Sequence, residues 1–231
     1  MQLSDIDSLK NELKEIKNSK IQTENIDKYL FDDQIPKKMK AYNLNCSILF
    51  VDIRNSTGMT EENGRKDMIK IYKMFAKLVV KVVEIHGGRV GQIMGDGMLC
   101  IFIGDRDHTS GEQAVNAAID INTCLKKAYN PIVENEWKID CGIGIRTGHI
   151  YLTRIGTRGK NKTCKVAYPS LITNYACKLC GESGKGEILL DDVTFQQIRK
   201  KDLKDGAKLV DKSNLKKCKD MIEKVWSIKY E

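Results

Sequence analysis

The chain has 231 residues, of which 41% are hydrophobic and 30% charged, with a formal net charge of +8 at pH 7. This length allows one domain with an extension, and the composition is ordinary for a globular protein. No apolar run approaches the roughly 18 residues that a membrane-spanning helix needs, and the N-terminus lacks the apolar core of a signal peptide. We therefore expect a cytoplasmic protein with no membrane partner.

The positive charge is spread over lysines in three stretches, 37–40, 66–81 and 200–219. Nucleic-acid-binding surfaces more often show one basic stripe interleaved with aromatic residues. We therefore expect a solvated lysine-rich surface and no nucleic-acid partner. The eight cysteines lie among apolar neighbours, which predicts buried, reduced thiols, and the pair Cys177 and Cys180 has no second pair or histidine cluster that would complete a zinc site.

Residues 1–44 are predicted to form an N-terminal helical extension. Leu3, Ile6, Leu9, Leu13 and Ile16 recur at helical spacing, which predicts a short amphipathic helix. Pro36 breaks this pattern, because a helix rarely continues through a proline. The remaining residues, 45–231, are predicted to form the main domain.

The main domain begins with a predicted strand at 46–53, followed by a long helix at about 62–86 that ends at Gly87 and Gly88. Further strands are predicted at 89–94, 98–103, 139–146, 149–155, 164–168 and 187–190. Further helices are predicted at about 110–128 and 171–180, with a short helix and a basic segment after 190. This order indicates an α+β fold with a ferredoxin-like βαββαβ arrangement, an antiparallel sheet and helices packed on it.

Two aspartates end apolar runs in this pattern. Asp52 follows Ile48–Val51, and Asp96 lies between Gly95 and Gly97 at the tip of a predicted hairpin. Two acids delivered by strands suit a divalent-metal site that handles phosphates, because hard oxygen ligands hold Mg²⁺ or Mn²⁺. The plainer alternative is that Asp52 caps a helix and Asp96 occupies an ordinary turn. The two motifs together favour the site.

Four blocks in order resemble the class III nucleotidyl cyclase catalytic domain. They are LFVDIRNST (49–57), GGRVGQIMGDGMLCIF (87–102), GIGIRTGHI (142–150) and TNYACKL (173–179). The interval of 44 residues between the two acids also matches this family. Each block alone is a weak signal, but four in the right order are a strong one.

The resemblance implies a site with two divalent ions, Mn²⁺ or Mg²⁺. Asp52 and Asp96 would hold both ions, and the carbonyl of Ile53 would complete one of them. This is two-metal catalysis of ring closure on a nucleoside triphosphate with release of pyrophosphate. The resemblance also assigns the β- and γ-phosphates to the backbone amides of Arg54, Asn55, Ser56 and Thr57.

Asn174 and Lys178 are the catalytic residues that the resemblance implies. They are four residues apart, so they project from one face of a helix. Asn174 would lie against the ribose, and Lys178 stands where the family usually has an arginine on the α-phosphate. Lysine cannot form the bidentate fork of arginine. The resemblance further implies a homodimer, with Asp52 and Asp96 of one chain facing Asn174 and Lys178 of the other.

The resemblance also indicates which positions would bind the base and which lysines could contact the triphosphate. The positions that read purines in the family are Gln92 and Ala167 here, so neither purine-reading pair is present. A glutamine amide can donate to uracil or accept from cytosine. Lys217 and Lys219 are both candidates for the C-terminal lysine that contacts the triphosphate.

The combination of these blocks resembles the Pycsar anti-phage cyclases, which make cyclic UMP or cyclic CMP that activates a separate effector protein. The hypothesis we favour is a uridylate cyclase acting on UTP, with a cytidylate cyclase acting on CTP as its alternative. A purine cyclase that makes cyclic AMP or GMP remains open. So does an inactive cyclase-like module that only binds nucleotide.

Overall fold

This computed structural model describes residues 3–30, 32–35, 39–156, 164–221 and 224–229. The helices are α1 (Leu3–Asn18), α2 (Ser56–Ile85), α3 (Ser110–Cys124), α4 (Asn130–Ile132), α5 (Leu171–Glu182), α6 (Asp192–Gln197) and α7 (Lys201–Gly206). The strands are β1 (Gln22–Ile26), β2 (Lys40–Ile53), β3 (Arg89–Met94), β4 (Gly97–Phe102), β5 (Cys141–Gly156), β6 (Cys164–Ala167), β7 (Glu187–Asp191), β8 (Lys208–Leu209) and β9 (Val225–Lys229). The chain divides into two compact units, one of residues 1–44 and 151–169, the other of residues 45–150 and 170–231.

The larger unit is built on a sheet whose described strands follow the order β3-β4-β2-β5-β7-β9-β8. Most neighbouring strands for which a register is described are antiparallel, and β5 with β7 is the parallel exception. Strand β4 is buried along its whole length, because its six residues are nearly all apolar and β2 and β3 flank it. The predicted α+β class, with a mainly antiparallel sheet and packed helices, is confirmed.

The core of the larger unit lies between this sheet and helices α2 and α3. Its fully buried side chains include Leu49 on β2, Phe75 on α2, Ile121 on α3 and Ile143 on β5. Each of these elements presents apolar residues at its own repeat, every second residue on a strand and every third or fourth on a helix. Burial of these side chains therefore fixes which face of each strand and helix points to the core. It also fixes the edge of the sheet at which the polar residues at the strand ends lie.

Several predicted element boundaries were wrong, among them the start of β2, which is Lys40 rather than residue 46. Helix α2 begins at Ser56, six residues before the prediction, and continues through a kink at Gly64, where φ is 76°. Helix α3 ends at Cys124, where a π-helical segment, Leu125–Tyr129, continues the chain. The strands predicted at 139–146 and 149–155 form the single strand β5, because Thr147 and Gly148 do not interrupt the pleat.

The smaller unit contains α1, β1 and β6 together with the adjoining ends of β2 and β5. Strand β1 pairs in parallel with β2, from Gln22 opposite Lys40 to Ile26 opposite Leu44. Helix α1 lies where the sequence predicted a helix, whereas the strand β1 was missed because its residues, QTENI, show no apolar alternation. The division of the chain into an extension 1–44 and a domain 45–231 stays a prediction.

All eight cysteines are free thiols, as the sequence analysis expected, and five of them are buried. Cys177 and Cys180 lie on α5. Across the described ranges, no three His, Cys, Asp or Glu side chains are grouped so that they could hold a metal ion. None of the helices described is both long and apolar enough to cross a bilayer.

Candidate active site

The two aspartates predicted from sequence meet at one end of the sheet. Strands β2 and β4 are antiparallel, and Asp52 pairs with Gly97, the residue after Asp96. Gly97 lies directly against Asp52, because a Cβ at this glycine would approach Asp52 Oδ1 to 3.0 Å. Burial first, and then the charge on Asp96, raises the pKa of the Asp52 carboxyl to about 6. The two carboxyl groups are therefore close enough to repel one another.

This pair fits a divalent cation that is shared with a ligand. Two carboxylates offer oxygen atoms only, which suits Mg²⁺ or Mn²⁺ and not softer metals. A cation between them would relieve both the burial cost and the mutual repulsion that raise the pKa of Asp52. No third acidic, histidine or cysteine ligand joins the pair in the described parts of the chain. The remaining coordination positions are therefore left to main-chain carbonyls, water and substrate oxygens.

The N-terminus of α2 follows directly after Asp52 and Ile53. Asn55 has φ 59° and ψ 30°, the left-handed conformation, and its side chain makes no capping hydrogen bond to the helix. A left-handed residue followed by helical ones turns successive amides into a concave, anion-binding nest. Gly58 makes room for the Asn55 side chain, because a Cβ there would lie 2.7 Å from Asn55 Oδ1. The amides of residues 55–57 therefore lie beside the acidic pair, at a helix start that the Asn55 side chain does not cap.

Arg54 makes hydrogen bonds that were not predicted from the sequence. Its amide donates to the Asp140 carbonyl at 2.9 Å, so the phosphate-binding prediction rests on residues 55–57 rather than 54–57. Its side chain donates through Nη2 to the Cys180 carbonyl and, at 2.8 Å, to Ser183 Oγ. A cation near the last carbonyls of a helix is electrostatically favourable. Arg54 thus ties the end of β2 to the end of α5, and no pattern in the sequence signals a contact across 126 residues.

Asn174 and Lys178 lie on α5, one turn apart, as the sequence predicted. Lys178 Nζ is 3.5 Å from Asp220 Oδ2 and 4.5 Å from the centre of the Tyr175 ring. The Tyr175 hydroxyl donates to the same carboxylate at 2.8 Å, and this hydrogen bond lowers the pKa of Asp220. Within one chain, then, Lys178 is held by Asp220 on the surface of the helix. Asn174 is exposed.

Two thiols of α5, those of Cys177 and Cys180, lie close enough to Asp52 of the same chain for its charge to raise their pKa. Burial, and after it the negative charge on Asp52, raises the pKa of the Cys177 thiol to about 11. Lys178, in contrast, makes its described ion pair with Asp220 and not with either site acid. In one copy of the chain, therefore, Asp52 and Asp96 lie beside the start of α2, whereas Lys178 is paired with Asp220.

Gln92 lies on β3 opposite Leu99 and is half-buried. A β-bulge between Val90 and Gln92 shifts the register there, and bulges change the direction in which a side chain points. The cavity that reaches Asp96 has a volume of about 210 Å³ and is lined mainly by α2 and the β3–β4 hairpin. Small-molecule sites are usually larger than about 300 Å³.

The three remaining candidates for base and triphosphate binding are Ala167, Lys217 and Lys219. Ala167 is in β6, within the smaller unit. Lys217 and Lys219 are exposed in the C-terminal segment. The backbone amide of Lys217 donates a hydrogen bond to Glu182 Oε1. A Cβ on Gly181 would lie 2.9 Å from Lys217 Nζ, so this lysine extends along the end of α5.

Curated relatives of this chain include three proteins named uridylate cyclase. The protein from Burkholderia cepacia is 29% identical over 161 residues, covering 68% of this chain and 66% of that protein. The protein from Xanthomonas perforans is 26% identical over 153 residues, covering 64% of each. The protein from Treponema porcinum is 23% identical over 204 residues, covering 84% of this chain and 68% of that protein. The chain thus matches about two-thirds of the length of these relatives.

Solved structures share the fold at lower identity. The guanylyl cyclase Cya2 has a TM-score of 0.64 at 21% identity, covering 80% of this chain and 92% of that one. The adenylyl cyclase CyaB from P. aeruginosa has a TM-score of 0.64 at 19% identity, covering 83% and 96%. The family model described as the adenylate and guanylate cyclase catalytic domain matches residues 38–226. The resemblance stated from the four sequence blocks is confirmed, and the chain belongs to the adenylate and guanylate cyclase catalytic domain family.

Proposed function

We propose that this protein is a nucleotide cyclase that converts UTP to 3′,5′-cyclic UMP and diphosphate. The observation that carries the proposal is the pairing of Asp52 with Asp96 beside the uncapped start of α2, in a chain of the cyclase family. A negative pair next to a positive helix terminus suits a metal–triphosphate ligand, because each part of the ligand meets the opposite charge. The three relatives named uridylate cyclase support UTP as the substrate.

Asp52, Asp96 and the carbonyl of Ile53 would hold two divalent ions, Mn²⁺ or Mg²⁺. When bound, the ions supply charge neutralisation of the triphosphate and a lower pKa for the ribose 3′-hydroxyl. The chain itself orients the substrate. The amides of Asn55, Ser56 and Thr57 bind the β- and γ-phosphates, which leaves the α-phosphate facing the acidic pair.

The active enzyme is a homodimer in this proposal, because a single chain leaves its site incomplete. Lys178 of the same chain is paired with Asp220 rather than with Asp52 or Asp96. Asn174 and Lys178 of the partner subunit complete the site, with the asparagine against the ribose and the lysine on the α-phosphate. Lys178 then exchanges the Asp220 carboxylate for a phosphate oxygen, and its charge stabilises the five-coordinate phosphorus.

Gln92 is the proposed base-reading residue. Its amide offers both a donor and an acceptor, so it can bind either uracil or cytosine, and its two orientations are equivalent without a ligand. CTP is therefore the second candidate substrate, on the same observation. The names of the relatives favour UTP over CTP.

In the biological setting that we propose, the product is a second messenger of anti-phage defence and acts on a separate effector protein. The support is the resemblance of the sequence blocks to the Pycsar cyclases together with the uridylate cyclase relatives. A purine cyclase and a module that only binds nucleotide are the competing functions.

A competition assay with all four substrates tests the proposal. The purified protein is incubated with equimolar ATP, GTP, CTP and UTP in Mn²⁺, and the products are separated by mass. Cyclic UMP as the main product is expected, and the variant Asp52→Asn should make none. Cyclic AMP or GMP would overturn the pyrimidine assignment, and nucleotide binding without any cyclic product would overturn the enzymatic function.

A further inference from the structure

The apolar stripe of helix α1 is uncovered in a single chain. Every residue from 5 to 18 is exposed, including Ile6 (43%), Leu9 (46%), Leu13 (56%) and Ile16 (58%). The remaining residues from 5 to 18 are all polar or charged. A row of large apolar side chains along one face of a polar helix marks a surface that another chain covers.

The spacing of this stripe is that of a coiled coil. The steps from Ile6 to Leu9, Leu13 and Ile16 are three, four and three residues, which place the four side chains alternately at heptad positions a and d. Helices that pack on a globular core have a wider apolar face, with an additional apolar residue at e or g. Within residues 5–18 the apolar residues lie only at a and d, which fits a single partner helix rather than a broad surface.

The charges beside the stripe identify the partner. Asp5 and Glu12 occupy g positions, and Lys10 and Lys17 occupy e positions. In a parallel, in-register helix pair, each g residue faces the e residue five positions later on the other helix, so both pairs are of opposite charge. In an antiparallel pair g faces g and e faces e, which brings like charges together. The pattern complements a second copy of itself in the parallel orientation.

We propose that α1 pairs with α1 of a second copy of this chain as a parallel two-stranded coiled coil. Asp5 then pairs with Lys10 of the partner subunit, and Glu12 with Lys17 of the partner subunit, each twice by symmetry. Two heptads are short for an isolated helix pair. The pairing therefore rests on the proposed homodimer, which holds the two copies at a high effective concentration.

Cross-linking of the full chain tests this pairing. Leu9→Cys places a thiol at a d position, which faces its counterpart in a parallel pair, whereas Asn11→Cys places one at the outward f position as the matched control. After oxidation and tryptic digestion, we expect the peptide that carries position 9 to be linked to a second copy of itself. The peptide that carries position 11 should be linked about tenfold less. The peptide mass distinguishes both products from links through the eight native cysteines.

Charge reversal tests the orientation. In the Leu9→Cys chain, either Lys10→Glu with Lys17→Glu, or Asp5→Lys with Glu12→Lys, makes all facing charges alike and should lower the yield of the linked peptide about tenfold. Mixing the two variants restores the opposite pairs and should restore the yield. A yield of linked peptide that is the same with and without the charge reversal would overturn the proposal.

Sedimentation of the same samples separates this proposal from the homodimer. A dimer that gives no linked peptide at position 9 overturns the coiled coil alone. A monomer that gives no linked peptide overturns both. The cross-link needs no nucleotide, so its result is independent of whether cyclic UMP is made.

Discussion

Asp52 is expected to destabilise the metal-free protein, and Asp52→Asn should therefore stabilise it. The pKa of this carboxyl rises from 3.8 to about 6 on folding, through burial and the charge on Asp96. Such a shift corresponds to about 3 kcal/mol if fully realised. The group is only half-buried, so solvent screening reduces the expected effect to about 1 kcal/mol.

The sign follows from proton linkage. The folded state binds the Asp52 proton more tightly than the unfolded state, so ionisation lowers the free energy of unfolding as pH rises from about 4 to about 6. Above about pH 6 the ionised carboxyl lowers the free energy of unfolding by the full amount, and below about pH 4 it does not lower it. Asp52→Asn should therefore raise the free energy of unfolding by about 1 kcal/mol at pH 8 and change it little below pH 4.

Urea unfolding in EDTA at both pH values measures this difference. Asp107→Asn is the matched control, because Asp107 is exposed in a turn of the same unit and should show no such difference. Added Mn²⁺ should stabilise the wild type and leave Asp52→Asn nearly unchanged, since binding to the folded state raises its stability. An Asn variant that is no more stable at pH 8 would show that ionised Asp52 does not destabilise the fold, and one that Mn²⁺ stabilises as much as the wild type would show that Asp52 does not hold the ion.

Three further substitutions test the contacts around the site. Arg54→Met removes the charged donor to the Cys180 carbonyl and should lower the free energy of unfolding, measured by urea denaturation, by about 2 kcal/mol. An unchanged free energy would show that Arg54 does not stabilise the contact between β2 and α5. In Gly58→Ala the new methyl group clashes with the Asn55 side chain, which should raise KM for UTP roughly tenfold while the free energy of unfolding changes by less than about 1 kcal/mol. An unchanged KM would show that Asn55 does not take part in phosphate binding. Lys178→Ala should lower kcat about 100-fold with little change in KM, and steady-state kinetics with equal kcat would exclude its catalytic role.

Asp52 and Asp96 are 44 residues apart, and their meeting could be predicted because each motif is local and the four ordered blocks resemble a family in which the two acids share a site. Each acid ends an apolar run, and the Gly-Asp-Gly turn returns β4 antiparallel to β3 and beside β2. The helix of Asn174 and Lys178 was predicted for the same reason, since its periodicity is contained in a dozen residues. Local patterns thus place these four residues on the correct elements.

What could not be predicted depends on contacts between distant residues or on backbone conformation. The ion pair of Lys178 with Asp220 joins residues 42 apart, and the hydrogen bond of Arg54 with Ser183 joins residues 129 apart. The early start of α2 depends on Asn55 adopting a left-handed conformation, which asparagine tolerates and no spacing reveals. Strand β1 is polar and is held by its main-chain pairing with β2, so it carries no apolar signal.

In the proposed mechanism, two chains of the nucleotide cyclase share each active site. A complementation test mixes Asp52→Asn, which should be inactive, with Lys178→Ala, which should keep about 1% of the activity, and measures cyclic UMP formation from UTP. With random pairing, half of the dimers contain both variants, and one of their two sites is intact, so about a quarter of the wild-type activity should return. Activity no greater than the sum of the two variants alone would contradict the account.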